Sequence, residues 1–142
     1  MSIIKLAFSI FWRFFLILFT ISLIINFLMS PIESSLIKQM GAMYIKLKPS
    51  LIQLLFTLCL LALTSTKFIS LNSIIWKRVF TIPLNWITCY KIYAIVCITL
   101  SAINLIVALL ASDEGWVNYK LMSVLVFLLV PIALSYKLSK KN

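Results

Sequence analysis

The stretch IYAIVCITLSAINLIVALLASDEGWVNYKLMSVLVFLLVPIALSY, residues 92 to 136, decides the fold. It holds two charge-free runs, 92 to 112 and 121 to 136, the second with a leading edge at Val117. Between them stand Asp113, Glu114 and the mixed segment GWVNYK. A helix crossing the hydrocarbon core needs about 20 mostly apolar residues, and both runs are of that order. Two further charge-free runs precede them, at 14 to 32 and 49 to 66. The pattern predicts an all-α polytopic membrane protein with four transmembrane helices at about 14–32, 49–66, 92–112 and 117–136. These form one membrane domain over residues 1–142.

Membrane-barrel strands would be segments of about 10 residues alternating apolar and polar. The runs here are uniformly apolar and longer. Inside a bilayer every backbone N–H must find a partner within the protein, and a helix does this within each run. The composition agrees, with 63% apolar and 11% charged residues against roughly 45–50% and about 25% in soluble domains. Mean hydropathy is +1.14.

Lys5 ahead of apolar residues imitates a signal peptide. The run from Phe14 outlasts an h-region of about 7–15 residues and no small-x-small cleavage site follows it, so it reads as a retained anchor. The net charge of +10 would suggest nucleic acid in a soluble chain, but here the bases stand at the ends of apolar runs, where they orient helices and meet anionic lipid. No nucleic-acid partner is expected. The three cysteines form no CxxC pair and read as small packing residues, and the chain has no histidine. The sequence therefore names no metal, no cofactor and no catalytic residue. With no acid–base pair placed within the bilayer, it is read as non-enzymatic.

Lys and Arg number nine in the compartments of the two termini and the 67–91 loop, and four in the other two loops. Basic residues stay on the cytoplasmic side, so both termini are expected there. GWVNYK then lies at the outer boundary. Trp116 and Tyr119 would sit at headgroup level with their polar edges wet, Lys120 would lift its ammonium to the phosphates, and Asn118 would cap the following helix.

Trp12 and Arg13 read as an anchor at the inner interface. In the first outer loop Ser34 or Ser35 is a candidate cap. Leu36, Ile37 and Met40 recur at helical spacing, consistent with a helix on the membrane surface that Gly41 breaks. The competing reading of MYIKLK is a short extended piece. Pro49 is expected to open the second span, where its missing N–H is harmless. The loop from Lys67 to Lys91 is amphipathic, with Lys67, Lys77 and Arg78 opposite an apolar face and Trp86 re-anchoring the chain. It reads as a cytoplasmic interfacial segment whose default contact is anionic lipid, with protein docking as the sharper alternative. Pro131 is a candidate kink.

Ala94, Cys97, Ser101, Asn104, Ala108 and Ala111 follow at intervals of three and four, forming one small-and-polar stripe. Such stripes let helices approach closely in lipid. The alternative is the lining of a path through the membrane.

The run NLIVALLASDEGWVNYKLMS, residues 104 to 123, resembles the carboxy-terminal region of the septation protein A family, also called the YciB or IspZ family. An N-x-x-x-A run there precedes W-V-N-F-K, matched here by Asn104, Ala108, Trp116, Val117, Asn118, Tyr119 and Lys120. MYIKLKPSLI, residues 43 to 52, is similar to the family's F-I-K-x-K-P-T-I and carries Lys46, Lys48 and Pro49 into it. IPLNW, residues 82 to 86, is similar to a Leu-Pro followed by Trp. Relative to that family the chain looks shortened at its amino end. Ser101 and Ser123 stand where glycines are common, and no G-K or R-M-L-G element occurs in the long loop.

The resemblance implies a bacterial inner-membrane protein of envelope maintenance and septation, associated with the elongation and division machinery and with no established catalytic activity. It also makes a defined lipid or partner contact an equal reading of GWVNYK. Rival readings are a small transporter or lipid-handling protein and a toxin-immunity or exclusion protein. A homo-oligomer is compatible with all of these. Reporters test the orientation: a fusion at residue 142 should fluoresce in the cytosol, and an alkaline phosphatase fusion at Gly115 should be active outside it.

Overall fold

The computed structural model describes residues 3–65 and 86–139. They form four helices, α1 (Ile3–Met40), α2 (Ala42–Leu63), α3 (Trp86–Leu110) and α4 (Asp113–Ser139). Each is long and apolar enough to cross a membrane. No strand occurs among the described residues. The chain is thus an all-helical, multi-pass membrane protein. Lys67, Lys77 and Arg78 lie outside the described residues, as does most of the expected interfacial segment.

The helices are longer than the apolar runs. At 38 residues, α1 rises about 57 Å, well beyond a hydrocarbon core of about 30 Å. It continues through Pro31, Ser34 and Ser35, so neither serine begins a helix. The helical spacing of Leu36, Ile37 and Met40 extends the same rod. Proline forfeits one backbone bond, a loss that membrane helices accommodate through neighbouring groups.

Gly41 ends the rod. Its φ of 57° and ψ of −138° fall where only glycine sits without strain, and its N–H still donates to the Ile37 carbonyl at 2.8 Å. The chain re-enters helix at once, which removes the extended reading of MYIKLK. Pro49 accordingly lies inside α2 instead of opening it, because the glycine and not the proline sets where the helix begins.

Only Ala111 and Ser112 separate α3 from α4. Ser112 Oγ accepts the Gly115 N–H at 3.2 Å, satisfying one of the donors that a helix start leaves open. Asp113 and Glu114 occupy the first turn, where carboxylates complement the helix dipole. The expected cap, Asn118, is instead exposed within α4. The cap had to lie before the acids, since the helix starts with them.

α2 packs most extensively on α3, and α1 lies against α2 and α4. The aromatic centre joins all four helices. Phe14 stacks on Tyr93 with ring centroids 3.6 Å apart and meets Tyr90 edge-on at 5.6 Å. Tyr93 contacts Phe127 edge-on at 5.5 Å, and Phe127 approaches Phe56 at 6.3 Å. Cys89 and Cys97 fill gaps in this core and Cys59 is half-buried; all three are free thiols.

Arg13 departs from the expected interfacial anchor. It is fully buried, with its guanidinium 3.5 Å from the centroid of the Trp86 ring. A weakly hydrated, permanently charged plane stacks favourably on indole, which turns the side chain into the bundle. Trp12, one residue earlier, keeps an exposed ring. From Arg13 to Glu33, α1 climbs about 30 Å, the thickness of a hydrocarbon core. These residues mark a terminal end and a hairpin end of the bundle.

No atom lies within 4 Å of a Cβ built on Gly41, so Gly41→Ala tests the backbone alone. It should cost about 1–3 kcal/mol, read as an earlier unfolding midpoint in mixed detergent–SDS micelles.

Candidate functional site

At the hairpin end the polar residues of all four helices converge. The α3 stripe faces α2: Ala94, Cys97, Ser101, Asn104 and Ala108 are buried, and Ala111 is half-buried. Small side chains bring the two backbones close enough for hydroxyls to reach across. Ser101 Oγ donates to the Ser50 carbonyl at 3.1 Å, and Ser50 Oγ donates back to the Ser101 carbonyl at 3.4 Å. One turn further along α3, Asn104 Nδ2 donates to Ser50 Oγ at 2.5 Å and to the Lys46 carbonyl at 3.0 Å. The stripe is therefore a packing seam between α2 and α3.

Lys46 carries the seam to α4. While its carbonyl accepts from Asn104, its ammonium stands 2.6 Å from Asp113 Oδ1. Lys48 pairs with Glu33 of α1 at 2.7 Å and lies 5.8 Å from the Tyr44 ring centroid. The Asp113 side chain is 86% exposed, so its ion pair is worth at most about 1 kcal/mol. Each buried interhelical hydrogen bond is worth about 0.6–2 kcal/mol in a membrane. The asparagine holds the helices together, and the ion pairs fix how the hairpin tips meet.

Tyr119 ties α4 directly to α3, its hydroxyl donating to the Leu100 carbonyl. The hydroxyl expected at the wet interface is thus spent inside the protein. Trp116 Nε1 is likewise buried, with no protein hydrogen-bond partner. The bond made by Tyr119 and the burial of Trp116 Nε1 replace the expected wet edges. Lys120 Nζ lies 5.6 Å from the Trp116 ring centroid.

Among the residues singled out from sequence, Lys46, Lys48, Asn104 and Tyr119 join one polar lattice. Trp116 and Lys120 form a neighbouring pair, Asn118 points away, and Trp86 lies at the terminal end beneath Arg13. Sequence reasoning missed Ser50, Glu33 and Asp113 as partners. Ser50 stands four residues after Lys46, the helical spacing that would have put both on the face opposite Asn104. The ion-pair assignments carried no such signal, since they depend on where two separate turns end. No cluster able to hold a metal occurs among the described residues.

Fold and site together define a polytopic helical-bundle membrane protein whose polar side chains join helices at one end. The family model for intracellular septation protein A matches residues 36–142. The chain belongs to that family. The match begins just before the Gly41 turn and takes in both hairpin tips and every residue of the lattice except Glu33. No curated protein and no solved structure matches the chain.

A double-mutant cycle tests the seam. Asn104→Ala and Ser50→Ala should each lower stability, with a coupling energy of about 0.6–2 kcal/mol in micellar unfolding. A coupling near zero would mean that Asn104 and Ser50 act separately.

Proposed function

We propose that this septation-family membrane protein is a non-enzymatic component of the bacterial inner membrane that maintains the envelope and supports septation. It acts by helix association, with anionic lipid and proteins of the division or elongation machinery as its contacts. Both termini lie in the cytoplasm and the hairpin end faces outward.

The observation that carries this reading is the lattice of Asn104, Ser50, Ser101, Lys46 and Asp113. The polar residues of this lattice serve to fix helix geometry, and none is arranged as a nucleophile with its base. A protein built this way presents a shape to its neighbours. The reading as a lipid-handling protein retains one supporting observation, a cavity between the four helices.

Deleting the gene should produce filamentous cells or misplaced septa and sensitivity to osmotic and detergent stress. Wild-type protein should restore both, while Asn104→Leu, at matched membrane levels, should restore neither fully. Normal division and an intact envelope in the deletion strain would remove the proposal. Lipid or solute movement in reconstituted liposomes, abolished by Asn104→Leu, would favour transport instead.

A further inference from the structure

A cavity of about 340 Å³ opens between the helices below the polar lattice, with walls from all four. This is within the size range of small-ligand sites, about 300–1,000 Å³. Its lining is apolar along most of its length, through Phe11, Phe15 and Phe127 among others, and turns polar at Lys120, Gln53 and Ser123. Ser123 Oγ is committed to the Lys120 carbonyl at 2.8 Å. Gln53 Oε1 is buried and has no hydrogen-bond partner.

Lys120 is the cation of this cavity, and the acids leave it unmatched. The chain has three: Glu33 pairs with Lys48 and Asp113 with Lys46, while Glu114 forms no ion pair among the described residues and does not line the cavity. A partly buried ammonium without a counter-charge favours any anion that can reach it. The Gln53 amide can present its NH₂ to the same anion, since its oxygen and nitrogen are interchangeable by rotation.

The route of approach selects the anion. Phe15, Val124 and Leu128 at the cavity wall are also exposed on the bundle's outer surface, which in a membrane is bathed by acyl chains. From Lys120 to Leu128, α4 descends about 12 Å into the apolar zone. A ligand entering this way has an apolar tail and a negative head at its end. We propose that the cavity is a binding site for an anionic phospholipid, one acyl chain lying against Phe15, Phe127 and Leu128 and the phosphate held by Lys120 and Gln53. This deepens the reading of the protein as a lipid contact and rests on its placement in the membrane.

The test is native mass spectrometry of the full chain released from nanodiscs of equal phosphatidylglycerol and phosphatidylcholine. Wild type should retain one phosphatidylglycerol per chain, preferred roughly tenfold over phosphatidylcholine. Lys120→Gln should lose that preference, Lys120→Arg should keep it, and Lys38→Gln should match wild type. Val124→Trp, which obstructs the cavity and leaves the charge, should lose the retained lipid altogether. If Lys120→Gln does not fold, the Arg and Trp variants decide between site and surface.

Unchanged preference in Lys120→Gln, or retention by Val124→Trp, would overturn the proposal. So would glycerol 3-phosphate displacing the lipid at equal concentration, since it would assign the site to a free anion. The measurement uses purified protein. Loss of binding therefore leaves the septation reading standing, and a deletion strain that divides normally leaves the lipid site standing.

Discussion

Hydrocarbon offers two helices no hydrophobic reason to associate, because lipid tails are as apolar as leucine. Close packing and polar bonds must supply the attraction, and in this bundle they converge on Asn104. Its amide reaches both a side chain and the backbone of α2, and the reciprocal serines one turn away allow no slip between the helices. A shift by one residue would point Ser101 and Asn104 at aliphatic side chains and leave their polar atoms in a medium that cannot solvate them. Register is thus set by the bonds that Asn104 Nδ2 and the two serines make, with Asn104 Oδ1 left buried and unpartnered, while contact area alone would permit several alignments. The remaining helices dock on this pair through rings and ion pairs that need its geometry already in place.

The two ends of the bundle use different chemistry. Toward the terminal end, Phe14, Tyr90, Tyr93 and Phe127 interlock as an aromatic centre, with the Arg13 plane closing over Trp86. Edge-on and stacked rings contribute beyond their buried area. Toward the hairpin end, hydrogen bonds and ion pairs take over. The further half of α1 joins the hairpin end at Glu33 and is otherwise largely uncovered: Phe27 is 79% exposed, and only 6% of the most apolar stretch of that helix is buried within the bundle.

Much of this was written in the sequence in a form that physics could read. Charge-free length gave the number of spans, and the interval of three and four from Ala94 to Ala108 gave the buried face of α3. Helix ends were less accessible, because they depend on a positive φ at Gly41 and a side-chain cap at Ser112 and not on hydropathy. Pro49 misled for a related reason, as a residue read as opening the second span lies within its helix. Arg13 was read as an anchor at the inner interface because counting bases treats each as a signal to the membrane. Only the fold brings Trp86 beneath it. Ser50 was one hydroxyl among several in its helix until the position of α3 singled it out.

The two-residue link at Ala111–Ser112 bears on how the protein is made. With so little slack, the end of α3 and the start of α4 are held at the same membrane surface. The pair settles in lipid as a folded-back unit. Biogenesis of this half of the chain is then a single partitioning event, governed by the summed hydrophobicity of both rods and insensitive to a modest deficit in either.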